Sequence, residues 1–279
     1  MQLPTKMPID KDAPDFVTAL ARGLSVIRSF GKDAVNLTLA EVAERTGLTR
    51  PTARRFLLTL ESLGYVNTDG KRFWLAPRTL DLGYAYLSSL SIWETAQPSM
   101  RAVVDTLNES CSMGVFDSGD VVYVARAAPR HMMSLQVNLG SRLPAFCTSI
   151  GRVLLAGLPS TELDAFFRHG TRRAFTPNTL TDEKTLRRVL QEVRQSGYAL
   201  IDQEIEVGLR AIAVPIRTGS GRVAAGLSVG AHTGRVNKAG MIKTVLPVLR
   251  QRAREIEEIL RRTDHPGWLH LPDSARRAP

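Results

Sequence analysis

Basic and hydroxyl side chains are concentrated in two short stretches of the sequence whose chemistry suits a phosphate backbone. The first stretch has the apolar spacing of an amphipathic helix, and its basic and hydroxyl residues lie at the start of that helix or on its polar face. In the second stretch the basic residues follow an Asp69-Gly70 turn. Arginine and lysine bind phosphate oxygens, and arginine also recognises base edges in the major groove. The candidate DNA-binding residues are Thr49, Arg50, Thr52, Arg54, Arg55, Lys71 and Arg72.

The elements around these residues follow the order of a winged helix-turn-helix. Thr38 and Glu41 have the spacing of a capping box for a helix over 39–45. Gly47 lies where the following turn requires a positive φ, and Gly64 ends the basic helix before a hairpin. Clustered arginines are also typical of a plain solvated face. The order of the elements nevertheless favours a basic helix placed in a DNA groove.

The charge of the chain agrees with a nucleic-acid partner. There are 37 Lys and Arg residues against 27 Asp and Glu, a net charge of +10, and residues 16–80 alone hold ten basic and five acidic side chains. A basic chain could instead bind an anionic membrane surface, but no strongly basic amphipathic helix is evident. No apolar run approaches the roughly 20 residues of a membrane span. We therefore expect double-stranded DNA as a partner and no membrane.

Cysteine and histidine usage predicts no metal, cofactor or disulfide framework. Cys111 and Cys147 have neither metal-ligand nor paired-scaffold spacing, and His131, His169 and His232 have no partners at metal spacing. The first residues lack the apolar core of a secretion signal. A reduced protein of the cytoplasm is the simplest expectation.

The length of 279 residues and the patterning predict two domains joined by a helix. The helix pattern over 78–93 is also a candidate dimer contact, although it could simply cover the wing. We expect the first residues to form a mobile arm. The predicted segments are a DNA-binding domain over 16–77, a linker helix over 78–92, a second domain over 93–263 and a disordered tail over 264–279.

Strand and helix patterns beyond Pro98 predict an α+β fold with a largely antiparallel sheet flanked by helices. Strands are expected at 112–116, 121–125, 133–137, 197–201, 210–216 and 223–229. Helices are expected at 100–107, 148–158, 161–168, 182–196 and 238–262.

The chain resembles the IclR family of bacterial transcriptional regulators over about residues 16–260. The motifs that carry the resemblance include Ala21-Arg22-Gly23-Leu24, Gly47-Leu48, Glu61-Ser62-Leu63-Gly64-Tyr65-Val66, Thr148-Ser149 with Gly151-Arg152, Gly197-Tyr198 and Ile212-Ala213-Val214-Pro215-Ile216. The segment 143–149 further resembles the branch that regulates aromatic-acid catabolism through protocatechuate and β-ketoadipate. The resemblance implies a GAF-like α/β effector domain, a homodimer or tetramer, and a small organic or aromatic acid as effector.

The resemblance also implies an effector pocket around the start of the helix over 148–158. The implied residues are Cys147, Thr148, Ser149, Asp202, Leu209, Ala211 and Ser228. A helix start offers free N–H groups and hydroxyls to a carboxylate, with Gly151 leaving the first turn open, although Thr148 and Ser149 would equally serve as a plain cap. The match at Asp202 can slip by one residue. Some family members have a cysteine where this chain has Ala211. The alanine leaves a wider and less polar cavity wall, which suits an aromatic ring.

Three arginines could neutralise the carboxylate of such an effector through a bidentate contact. Arg126 follows an apolar strand, Arg142 precedes the pocket segment, and Arg152 lies in the pocket helix. A surface or interface position is the more common role of such residues, and we expect it for all three.

The sequence therefore predicts a sequence-specific DNA-binding transcriptional regulator of aromatic-acid catabolism. We expect a small organic acid to modulate its DNA binding. The alternatives are a different acid such as glyoxylate or pyruvate, or an architectural DNA-binding protein without effector. An enzyme would need Cys147 as nucleophile with Asp202 or His232 as helper. No base lies at a fixed short spacing from Cys147, so we assign no catalytic residue.

Overall fold

The computed structural model describes residues 14–89, 92–129 and 137–262. The described residues up to Ser89 form one compact unit, and those from Ile92 onward form a second. The predicted arm before residue 14, most of the predicted strand over 133–137 and the predicted tail over 264–279 lie outside the described residues.

The first unit is a small helical domain with a three-stranded antiparallel sheet. Its elements are α1 (Thr18–Arg28), β1 (Leu37–Thr38), α2 (Leu39–Thr46), α3 (Arg50–Ser62), β2 (Val66–Thr68) and β3 (Arg72–Leu75). The strand order is β1-β3-β2, so the predicted hairpin is the wing. Sequence patterning missed β1, because two residues are too few to show an alternation.

Local sequence signals explain how α2 begins and ends. The Thr38 hydroxyl accepts from the Glu41 N–H while the Glu41 carboxylate accepts from the Thr38 N–H, which confirms the capping box. Gly47 follows with φ 67°, in the left-handed region that glycine favours. At the other end of the next helix, Leu63 lies past the last turn of α3 and is 53% exposed.

Of the two helices after the wing, the first differs from the prediction at both ends and the second differs only at its start. The expected helix over 78–93 is α4 (Leu80–Ser89), preceded by a 3-10 turn at Pro77–Thr79. The helix expected over 100–107 is α5 (Ile92–Leu107), which contains Pro98. A proline normally ends a helix because it lacks an N–H and clashes with the preceding turn, and this local rule fails here.

The second unit is built on one antiparallel sheet of six strands in the order β6-β5-β4-β9-β8-β7. The strands are β4 (Ser110–Asp117), β5 (Asp120–Ala127), β6 (Arg142–Pro144), β7 (Ala199–Asp202), β8 (Leu209–Arg217) and β9 (Val223–His232). Five strands confirm predicted ones with shifted ends. The short edge strand β6 was not predicted, because three residues carry no readable period.

Helices pack against this sheet and form a hydrophobic core with it. They are α6 (Ser149–Ala156), α7 (Ser160–His169), α8 (Glu183–Ser196), α9 (Lys238–Gly240) and α10 (Leu246–Arg262). The helix predicted over 238–262 is continuous, and a π-helical turn at Met241–Val245 lies between α9 and α10. No helix in the described parts of the chain is both long and apolar enough to cross a membrane.

Glycines let α6 approach the sheet closely. A Cβ at Gly226 of β9 would come within 2.9 Å of the Ile150 side chain, and a Cβ at Gly151 would collide with the Ala145 backbone. Gly151 therefore serves close packing, and the prediction that it opens the first helical turn to a ligand is wrong. The start of α6 is thereby held against strands that carry polar side chains.

Candidate functional sites

The start and outer face of α3 present the predicted basic residues to solvent. Thr49 caps the helix and accepts from the Thr52 N–H, with the two hydroxyl oxygens 2.9 Å apart. Arg50, Arg54 and Arg55 are exposed, whereas Thr52 is half-buried. The opposite face of the helix is packed into the domain core. An exposed basic face on a rigid, capped helix has the geometry needed to enter a major groove.

The wing places a second basic group at its turn. The Asp69 carboxylate accepts from the Lys71 and Arg72 N–H groups at 2.8 and 2.7 Å, and these backbone hydrogen bonds lower the pKa of Asp69. The Lys71 side chain is exposed at the tip. The Arg72 guanidinium donates to the Asn36 carbonyl at 3.1 Å, so this residue also has a structural contact.

A cavity in the second unit lies between the sheet and the start of α6. Water-sized molecules can be centred in about 60 Å³ of it, within about 560 Å³ of empty space that includes open solvent. It is lined by Ser110, Ser112, Tyr123, Arg126, Val137, Leu143, Thr148, Ser149, Ile201, Ile205, Leu209, Ala211, Ser228 and Gly230. The structure thus brings five of the seven implied effector residues together: Thr148, Ser149, Leu209, Ala211 and Ser228.

Strand register places polar side chains of three strands in one row on the cavity wall. Ser112 of β4 pairs with Arg126 of β5 on one side and with Ser228 of β9 on the other. Directly paired residues project to the same face of a sheet. The Ser228 hydroxyl donates to the Ser112 carbonyl at 3.4 Å. This row gives the wall a basic end and a hydroxyl-bearing middle.

The start of α6 contributes both a cap and a cavity lining. Thr148 accepts from the Gly151 N–H at 3.1 Å and donates to the Pro144 carbonyl at 3.3 Å, so its hydroxyl caps the helix as the plainer interpretation expected. Ser149 is buried in the first turn and lines the cavity. Helix N-termini favour negative charge and hydrogen-bond acceptors.

Cys147 and Asp202 do not line the cavity. Cys147 is fully buried, and burial raises the pKa of its thiol to about 12, which is unsuited to a nucleophile. Asp202 binds Arg210 at 2.7 Å and Lys238 at 3.0 Å. Partial burial acts to raise the pKa of Asp202, but hydrogen bonds from these two cations hold it below the usual range. Its carboxylate is thus used in an ion-pair cluster at the end of β7.

The three arginines have different surroundings. Arg142 is an exposed partner of Asp117 and Asp120, in agreement with the predicted surface position. The surface prediction is wrong for Arg152, which is 2% exposed and pairs with the buried Glu204. Arg126 is half-buried and lines the cavity.

Sequence reasoning missed further cavity residues, among them Tyr123, Ser112 and Ile201. Each lies in a predicted strand or next to one, but a strand pattern does not reveal which strands pair. Burial raises the pKa of Tyr123 to about 12, so its hydroxyl stays protonated at neutral pH. Within the three described segments, no three His, Cys, Asp or Glu side chains come together as a metal site would need.

A winged helix-turn-helix joined in one chain to a domain with a polar-walled cavity defines a ligand-responsive DNA-binding regulator. The chain belongs to the IclR family of bacterial transcriptional regulators. The family's helix-turn-helix domain matches residues 19–70, and the domain described as "Bacterial transcriptional regulator IclR C-terminal" matches residues 84–258. Family membership and the α+β fold are therefore confirmed, and the chain is a regulator rather than an enzyme.

Similar proteins include regulators of aromatic-acid catabolism. The Pca regulon regulatory protein of Pseudomonas putida is 42% identical over 87% of this chain and 84% of its own length. The p-hydroxybenzoate hydroxylase transcriptional activator of Acinetobacter baylyi is 40% identical over 88% of this chain and 93% of its own. These values support the predicted aromatic-acid branch of the family.

A solved structure shows the same overall fold with a ligand. It is an IclR homologue from Microbacterium hydrocarbonoxydans in complex with 4-hydroxybenzoate. It is 26% identical, with a TM-score of 0.77, covering 87% of this chain and 99% of its own.

Proposed function

We propose that this regulator controls genes of aromatic-acid catabolism and that an aromatic acid bound in the cavity modulates its affinity for operator DNA. The observation that carries the proposal is the cavity itself, whose lining combines hydroxyl-bearing and apolar side chains. The names of the relatives support an acid of the protocatechuate, 4-hydroxybenzoate and β-ketoadipate class.

The cavity wall suits a ring better than a two- or three-carbon acid. Ile201, Leu209 and Ala211 give it an apolar surface, and the small Ala211 side chain leaves room. Ser149 and Ser228 supply hydroxyl donors for polar substituents of the ligand. An apolar cavity with a few placed polar groups is the usual form of a small-molecule site.

DNA binding is proposed through α3 in the major groove and through the wing on the backbone. Thr49, Arg50, Thr52, Arg54 and Arg55 form the helical part of this surface, and Lys71 and Arg72 form the wing part. The protein is proposed to bind DNA in the cytoplasm as a homodimer or tetramer. Residues 78–92 are proposed to link the DNA-binding domain, 16–77, to the effector-binding domain, 93–263.

Footprinting and fluorescence anisotropy on the DNA upstream of its own gene test this function. With the full chain at fixed salt, we expect 4-hydroxybenzoate, protocatechuate or β-ketoadipate to change operator affinity by about 1–3 kcal/mol, a typical coupling energy. Glyoxylate and pyruvate are the matched comparison. An effect of these alone would reassign the protein to another effector class, and no effect of any acid would indicate effector-free DNA binding.

Two serine variants test the location of the effector site. Ser149→Ala and Ser228→Ala each remove one cavity hydroxyl and add no atom to these buried sites, and each is expected to weaken acid binding by about 0.5–1.5 kcal/mol. Calorimetry on the full chain measures the change, and Ser220→Ala in an exposed turn is the control. Unchanged affinity in both variants would mean that the acid binds elsewhere.

A further inference from the structure

We propose that Arg126 binds the carboxylate of the effector and makes the cavity selective for acids over neutral molecules of the same shape. This inference rests on the proposed function, because it assumes an aromatic effector in this cavity. Arg126 is the one charged side chain among the described residues that line it. It is a specificity-determining residue that neither the family motifs nor the fold assigns.

The position of Arg126 is fixed by its strand and by a neighbouring carbonyl. Its side chain lies at the end of the row that continues through Ser112 to Ser228, on the face covered by α6. Its Nη1 donates to the Val137 carbonyl. This contact helps to orient the guanidinium on the cavity wall.

The electrostatics of the cavity favour an anion at Arg126. Burial lowers the pKa of Arg126, which reports the cost of holding its charge away from water. Guanidinium remains protonated in proteins nevertheless. No carboxylate occurs among the described lining residues, and the second electropositive feature is the start of α6. A bound carboxylate would therefore offset the desolvation of the arginine.

The other polar groups of the wall suit the remainder of the ligand. The protonated Tyr123 hydroxyl and the Ser149 hydroxyl both line the cavity and can each bind a ring hydroxyl. A carboxylate on the planar fork of Arg126 would form two parallel charge-assisted hydrogen bonds. A carboxamide of the same size carries no charge and presents one acceptor oxygen in place of two.

Calorimetry on the full chain with 4-hydroxybenzoate and its neutral isostere 4-hydroxybenzamide tests the inference. The parent protein is expected to bind the acid at least about tenfold more tightly, because hydrogen bonds to charged groups contribute more than neutral ones. Arg126→Gln is expected to weaken acid binding about 10- to 100-fold and to leave amide binding within a few-fold. Arg142→Gln removes the same charge from an exposed ion pair and is expected to match the parent.

The outcomes separate this inference from the proposed function. If the parent binds neither probe nor any other aromatic acid, both fail. If the parent and Arg126→Gln bind the acid equally, or if the parent binds acid and amide equally, Arg126 is not the acid-selecting residue while the aromatic effector stands. Should Arg126→Gln fail to fold, Arg126→Lys replaces it, and undiminished acid affinity in that variant would contradict the bidentate contact.

Discussion

Arginine has several roles in this chain, and the surroundings of each residue decide which. Arg54 points away from the core of its domain into solvent, while Arg78 lies over the Tyr65 ring and donates to a backbone carbonyl. Arg152 is fully buried in an ion pair, and Arg126 borders a cavity. Residue type alone therefore does not identify a DNA contact, whereas exposure on a docking helix supports one.

Arg54→Ala and Arg55→Ala are predicted to lower operator affinity by about 1–3 kcal/mol each, the usual range for a lost base contact. Both side chains are exposed on α3, so the melting temperature should not change. Anisotropy titrations at matched salt measure the loss, with the exposed Arg188→Ala of the second unit as control.

Lys71→Ala at the wing tip provides the contrast within the same domain. A phosphate contact should weaken binding to operator and unrelated DNA alike and reduce the salt slope by about one. If the α3 variants behave in this way too, or bind like the parent, then α3 is not the element that reads the operator.

Local sequence signals predicted those parts of the site that depend on neighbours in the chain. Thr148 and Ser149 were predicted because the family resemblance implies a pocket at this helix start, where hydroxyls and free N–H groups suit a carboxylate. Ser112 was not, because its proximity to Ser228 depends on strand pairing between residues 116 positions apart. The same reason applies to Arg126, because only the register of β4 and β5 shows that its side chain lies on the cavity wall.

The elements followed the prediction where periodicity or capping was strong and departed where packing prevailed. The capped helices of the first unit and the long alternating strands of the second were readable. The helix α5 contains Pro98 and yet continues, with Ala96, Met100 and Val103 fully buried. Burial of an apolar helix face can outweigh the roughly 3 kcal/mol that an interior proline costs. This burial depends on tertiary packing, so local sequence rules do not predict it.

A buried ion pair between Arg152 and Glu204 joins α6 to neighbouring loops of the second unit. Arg152 of α6 donates to the Phe146 carbonyl at 3.0 Å and to Glu204, whose carboxylate also accepts from the Leu180 N–H at 3.1 Å. The Glu204 carbonyl in turn accepts from the Thr179 hydroxyl. The loop that carries Glu204 is thus fixed to the helix whose start lines the cavity.

Arg152→Met is predicted to lower the free energy of unfolding by about 3–5 kcal/mol, because it leaves the buried Glu204 carboxylate without its partner. Urea unfolding followed by circular dichroism measures the loss. The double variant Arg152→Met/Glu204→Leu is expected to recover part of it, since both charges are then removed. The matched control is Arg142→Met, whose exposed pair should cost at most about 1 kcal/mol. If Arg152→Met and Arg142→Met lowered the free energy of unfolding equally, the buried pair would contribute no more to stability than the exposed one.

At the scale of the whole molecule, exposed apolar side chains of the first unit point to self-association. On α4, Leu80 is 75% and Tyr84 is 69% exposed, and on α1 Leu20 is 63% exposed. Contiguous exposed apolar surface marks interaction sites in soluble proteins. A single recognition helix reads only a few base pairs, so two copies of the domain are needed for useful specificity.

We predict a dimer at micromolar concentration that assembles in part through α4. Leu80 and Tyr84 are four positions apart and therefore lie on one side of the helix. In the double variant Leu80→Glu/Tyr84→Glu, the carboxylates of the two copies should repel each other across the interface and yield monomers. Val35→Glu places one charge on a comparably exposed apolar residue outside the helices, 62% exposed in the parent, and should leave the dimer intact. Sedimentation equilibrium of the parent, the α4 double variant and Val35→Glu measures the oligomeric state of each. A parent chain that stays monomeric with and without DNA would contradict the prediction, and a dimer insensitive to the α4 charges would move the interface to another part of the chain.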